Sequence, residues 1–122
     1  MKGKEGGADT LHGLSRRVER FCAEREWEQF HNTKDLAISL VLEATEVLEL
    51  TQWKESDELD PGNAASRARL AEELSDVLYW LLILATRHGI DLAAAFEEKL
   101  VQNERKYPVD KARGSAAKYT EL

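Results

Sequence analysis

Carboxylates set inside apolar helices are the most restrictive feature of this chain. The stretch Leu42–Trp53, LEATEVLELTQW, carries Glu43 and Glu46 three apart, with Trp53 seven further on. Residues three or four apart on a helix share a face, so Glu43, Glu46, Leu50 and Trp53 form one stripe, which Ser39 extends backwards. A second stretch, Ala71–Trp80 or AEELSDVLYW, places Glu73 and Asp76 three apart and Trp80 four further on. Carboxylates on a buried helix face are costly unless they are paired or bind a metal. Two such helices packed antiparallel would bring Glu43 and Glu46 against Glu73 and Asp76.

The rest of the chain supplies a helical frame. Residues 1–8 are rich in glycine and charge and read as disordered, leaving 9–122 as a single domain. Asp9 or Thr10 can cap a first helix running to about Glu28, with Leu11, Leu14, Val18, Phe21 and Cys22 at helical spacing. An aromatic connection, Trp27–Asp35, leads to Asn32 or Thr33 as the cap of a second helix over roughly Lys34–Lys54. That helix is apolar nearly all round, which predicts burial on several sides. Pro61 and Gly62 break the next loop. A third helix runs from about Ala64 to His88 on a core stripe of Leu70, Leu74, Val77, Leu81 and Leu82, and Gly89 stops it. Asp91 caps a fourth helix to about Tyr107, with Leu92, Ala95, Phe96 and Leu100 as its buried face. Residues 109–122 read as a mostly irregular tail. No segment alternates with period two, so the expected fold is all-α, a four-helix arrangement with short, antiparallel connections.

Charge and cysteine usage narrow the function classes. The formal net charge is −6 over 122 residues, which argues against a general nucleic-acid or membrane-surface binder. Cys22 is the only cysteine, which suits a reducing cytoplasm. The first residues lack the apolar run of a signal peptide, and Val77–Ala85 is too short to span a membrane. An acidic protein can still hold an anion where cations cluster. Lys99, Asn103 and Lys106 share one face of the fourth helix. From Lys99 to Lys118 there are six Lys or Arg against Glu104 and Asp110 alone.

Four carboxylates in one cluster cannot all stay ionised unaided. They call for about two divalent cations, by the rule that buried charges pair or bind metal. An all-oxygen donor set favours Mg²⁺, with Mn²⁺ as a substitute. A di-iron bundle uses Glu-x-x-His on two helices, whereas here only Glu28 and His31 have that spacing, and neither belongs to an acidic pair. Such a metal bridges phosphate oxygens and lowers the pKa of bound water, which is the chemistry of hydrolysis at phosphorus. Glu46 and Glu49 are candidates to orient that water. Trp53 suits stacking on a nucleobase, and Trp27, Phe30 and His31 lie in a connection, where binding groups concentrate. The plain alternatives are a solvated Glu-x-x-Glu face, a core role for Trp53 and Trp80, and a hydrophobic staple for Phe30.

These residues resemble the MazG-like nucleoside triphosphate pyrophosphohydrolases, most closely the dCTP-pyrophosphatase branch. The resemblance covers about residues 14–122. It rests on WEQFH (27–31), the pair Glu43 and Glu46, QWK (52–54), EELSDVLYW (72–80) and KYPVDKARGSAAKYTEL (106–122). It implies an all-α bundle completed by oligomerisation, as a homodimer or homotetramer. It implies Mg²⁺-dependent hydrolysis of a (deoxy)nucleoside triphosphate, dCTP or a modified pyrimidine favoured, to the monophosphate and pyrophosphate. Glu43, Glu46, Glu73 and Asp76 match the metal ligands. Trp27 to His31 and Trp53 match base and sugar contacts, and Lys99 and Asn103 match positions near the phosphates. Two positions depart from vertebrate members: Val18 stands where they carry a substrate-contacting histidine, and Trp80 where they carry a tyrosine. Both lie where base or sugar is read, which leaves the base preference open.

Two other functions fit the same residues. One is a broader (d)NTP or dUTPase-like hydrolase. The other is a non-catalytic helical interaction module with a structural metal site, which would need neither Trp53 nor the Lys99–Asn103 face.

Overall fold

The computed structural model describes residues 10–59, 61 and 63–122. The stretch expected to be disordered, 1–8, and the alternative cap Asp9 lie outside these. Among the described residues there is no strand. The helices are α1 (Leu11–Glu24), α2 (Thr33–Glu49), α3 (Ala64–Arg87), α4 (Leu92–Lys106) and a single-turn α5 (Val109–Ala112), with 3-10 turns at Glu28–Phe30, Ser56–Leu59 and Tyr119–Glu121. The residues form two compact units, Met1–Ile90 and Asp91–Leu122. Among the described residues no single helix is long and apolar enough to cross a membrane.

Local chemistry sets the helix ends. Thr10, Asn32, Asn63 and Asp91 each accept a backbone N–H of the first turn through the side chain, satisfying donors that a helix start leaves open. At the end of α3, Gly89 adopts φ +63, and Gly89 and Ile90 donate back to the carbonyls of Thr86 and Ala85. This is a Schellman closure, in which glycine takes the left-handed position without strain. The first helix stops at Glu24, four residues short of the expected Glu28. Its closure is also of Schellman type, with Glu26 and Trp27 donating to Ala23 and Cys22, but the left-handed residue is Glu26 at φ +54. The second helix likewise ends at Glu49 and not near Lys54. Leu50 caps it, a turn follows, and Trp53 sits at φ +64.

In the first unit, α2 and α3 share the largest interface and α1 packs on α3. Thr33 at the start of α2 meets Arg87 at the end of α3, while Val47 and Leu50 share a hollow with Ser66 and Leu70. The two helices are therefore antiparallel, as expected. The core is small: Cys22, Leu36 and Ile83, with Val18, Tyr79, Trp80 and Leu84 packed against it. Leu82 and Ala85 are also buried.

Several expected core positions are not covered by this chain. On α2 only Leu36 is buried, while Ile38, Val41, Leu42 and Leu48 are exposed, Leu48 at 65%. Leu70 and Leu74 are exposed on α3. In the second unit Phe96 is 62% exposed, Leu100 and Ala95 are exposed, and Leu92 is half-buried. Periodicity marks which face of a helix is apolar; it carries no information on whether the same chain covers that face.

Candidate active site

The two acidic pairs meet. One carboxylate oxygen from each of Glu43, Glu46, Glu73 and Asp76 lies within 4.8 Å of every other. Antiparallel packing of α2 on α3 brings this about, since each pair is one turn of its own helix. Glu43 and Glu73 are half-buried, and Glu46 and Asp76 are exposed. The Oε2 atoms of Glu43 and Glu73 are buried with no hydrogen-bond partner. A buried acceptor without a donor is costly, and a cation supplies what these two atoms lack.

The crowding shows in the proton affinities. Glu73 is pushed up to about 7, first by sharing a proton with Glu46, then by burial and by the charges of Glu46, Asp76 and Glu43. Glu43 is raised by burial and by Glu46 and Asp76, against a hydrogen bond from the Trp80 indole N–H that favours the ionised form. The donor set is four carboxylates with no nitrogen or sulfur, which fits a hard divalent cation.

Aromatic rings flank the cluster. Trp27 stands edge-on to Phe21 at 5.6 Å, Phe21 to Tyr79 at 6.1 Å, Tyr79 to Trp80 at 5.1 Å, and Trp80 to His31 at 6.3 Å. This chain of edge-to-face contacts ties α1, the 25–32 connection and α3 together. The Tyr79 hydroxyl lies 3.5 Å from Cys22 Sγ, and burial and that contact raise its pKa. A hollow of about 280 Å³ opens between Trp27, Phe30, His31, Ser39 and Trp80, with Asp35 and Leu36 behind. A wider one, about 610 Å³, runs from Trp27 along Leu14, Arg17, Val18 and Phe21 to Asp76 and Tyr79. The two share Trp27, and the wider one reaches the acidic cluster.

The structure thus groups Glu43, Glu46, Glu73, Asp76, Trp27, His31 and Trp80. Phe30 is exposed and lines the smaller hollow. Trp53 is a correction. It does not continue the acidic stripe, because α2 ends before it, and it is 99% exposed on a left-handed turn. Lys99 and Asn103 lie on α4 in the second unit, Lys99 exposed and Asn103 half-buried. In the same unit Lys106 Nζ sits 4.9 Å from the centre of the Tyr119 ring. Glu49 is exposed at the last position of α2. Arg17 went unnoticed in the sequence. The available signal was a cation placed between Leu14 and Phe21 on the apolar stripe of α1.

Known proteins resemble this chain in sequence and fold. Residues 38–122 match the MazG-like family. The chain is 47% identical over 115 residues to dCTP pyrophosphatase 1 of Bos taurus, spanning 93% of this chain and 68% of that protein. To dCTP pyrophosphatase 1 of Homo sapiens it is 42% identical over 137 residues, spanning 100% and 81%. A pyrophosphatase from Archaeoglobus fulgidus, solved as a crystal structure, matches with a TM-score of 0.73 at 35% identity over 80% of this chain and 92% of that one. The chain belongs to the MazG-like family.

Proposed function

We propose that this protein is a Mg²⁺-dependent nucleoside triphosphate pyrophosphohydrolase that converts dCTP, or a modified pyrimidine deoxynucleotide, to the monophosphate and pyrophosphate. The observation that carries the reading is the cluster of four carboxylates, two of them with orphaned buried oxygens, beside a hollow walled by Trp27, His31 and Trp80. The names of the mammalian relatives support dCTP as the substrate.

In this reading Glu43, Glu46, Glu73 and Asp76 hold the metal, with Mn²⁺ able to substitute. When bound, the metal neutralises phosphate charge and lowers the pKa of a coordinated water. The protein's own groups do the positioning. Trp27, His31 and Trp80 enclose base and sugar and exclude water from them. Arg17 and Asp76 face the wider hollow, where the triphosphate extends from the base towards the cluster. Glu46, exposed on the cluster, orients the attacking water. Lys99, Asn103 and Lys106 are proposed as phosphate contacts and Trp53 as a base contact.

The uncovered apolar residues Val41, Leu42 and Leu48 on α2 support assembly into a homodimer or homotetramer. The single cysteine fits a cytoplasmic protein.

A product assay tests the reaction. Purified protein with Mg²⁺ and each common dNTP and NTP should yield monophosphate and pyrophosphate, fastest with a pyrimidine deoxynucleotide. Equal rates on all would favour a broad hydrolase. Diphosphate and inorganic phosphate as products would overturn the proposal.

A further inference from the structure

The connection that carries Trp27 and His31 borders a second hollow, of about 260 Å³, lined by Val18, Cys22, Glu28, His31 and Arg87 among others. His31 borders both this hollow and the front one. Hydrogen bonds from the end of α3 span the gap. Arg87 donates through Nη1 to the His31 carbonyl at 2.7 Å and through Nε to Thr33 Oγ1 at 3.3 Å. The same hydroxyl lies 2.8 Å from His88 Nε2. These contacts grip the chain on both sides of Asn32, whose side chain caps α2 through Asp35.

We infer that Arg87 is a positioning residue for substrate: it holds the His31 peptide so that the His31 ring stays edge-on to Trp80 and the front hollow keeps its shape. The inference rests on the nucleotide-hydrolase reading above. A planar guanidinium suits the task, since it reaches two acceptors at fixed angles. Its place at the C-terminus of α3 also favours a cation. The helix that carries Glu73, Asp76 and Trp80 therefore also carries the clamp, so the aromatic wall and the acidic cluster are held in one frame. Arg87 is exposed and outside the core of Cys22, Leu36 and Ile83, so its loss leaves that packing in place.

The test compares wild type with Arg87→Ala and Arg87→Lys in dCTP turnover, Mn²⁺ titration and the NMR resonance of the Trp80 indole N–H, assigned by Trp80→Phe. Arg87→Ala should raise KM about tenfold, the scale of one lost polar contact, with kcat and Mn²⁺ affinity nearly unchanged. Arg87→Lys should keep the raised KM, because charge without the fork does not restore the grip. The Trp80 indole resonance should shift in both. An unchanged KM and an unmoved resonance in folded Arg87→Ala would overturn the clamp. So would KM and Mn²⁺ affinity failing together, which marks general disruption. If wild type turns over no nucleotide, the hydrolase reading fails, and the resonance alone decides whether Arg87 holds His31 against Trp80.

Discussion

Glu43 on α2 and Glu73 on α3 belong to one carboxylate cluster, and each has a buried Oε2 with no hydrogen-bond partner. Two helices that bring carboxylates this close work against their own repulsion, which a divalent cation would neutralise. Replacing Glu73 by glutamine removes one negative charge and one of the four proposed metal donors at once. Glu73→Gln should lower kcat/KM by about a hundredfold or more, the scale of losing one preorganised electrostatic contact. The metal-free variant should melt above metal-free wild type. Turnover assays and thermal melts in EDTA would show both.

Glu73 also sets a pH dependence. Its pKa is about 7 in the folded chain against an ordinary 4.5. A carboxyl raised on folding favours the protonated native state, so its contribution is fully present below about pH 4.5 and is lost as pH rises through about 7. Metal-free protein should therefore melt lower at pH 8 than at pH 5. Divalent cation should reverse that trend, because the metal displaces the proton and binds more tightly as pH rises. Melting curves at the two pH values, with EDTA or with Mg²⁺, measure the effect directly.

Trp27 faces both hollows and is 41% exposed. A ring used for stacking is worth about 1–3 kcal/mol per base. Trp27→Ala should raise KM for dCTP by roughly 5- to 150-fold, with a smaller effect on kcat. Steady-state kinetics on a variant with wild-type helicity would show it. An unchanged KM would return Trp27 to a packing role against Phe21.

Glu26 holds a left-handed conformation at the close of α1. An L-residue with a Cβ pays about 1–2 kcal/mol there relative to glycine. Glu26→Gly should stabilise the fold by about 1 kcal/mol, less the extra chain entropy of glycine. Denaturant midpoints at constant slope would register the gain.

The parts of this architecture that were legible in the sequence are local ones. The acidic pairs, the caps Thr10, Asn32 and Asp91, and the stop at Gly89 are set by spacing and side-chain chemistry within a few residues. Two helix ends were misread because Glu26 and Trp53 occupy left-handed positions where glycine is the usual marker. The apolar residues Phe96, Leu100 and Leu48 were expected to be buried, since a pattern shows the face and not its cover. Arg17 was hidden among the apolar residues of its own stripe. Arg87 was legible only as a cation at the end of its helix; its partners, a backbone carbonyl and a hydroxyl more than fifty residues away, were not.

The central claim is that Glu43, Glu46, Glu73 and Asp76 form a divalent-metal centre. Calorimetric titration of Mn²⁺ and Mg²⁺ into EDTA-stripped wild type, Glu43→Gln and Glu73→Gln at pH 7.5 tests it most directly. The account predicts saturable binding to wild type and a loss of affinity in both variants while their helicity persists. Equal binding by all three proteins, or none by wild type at millimolar metal, would contradict it.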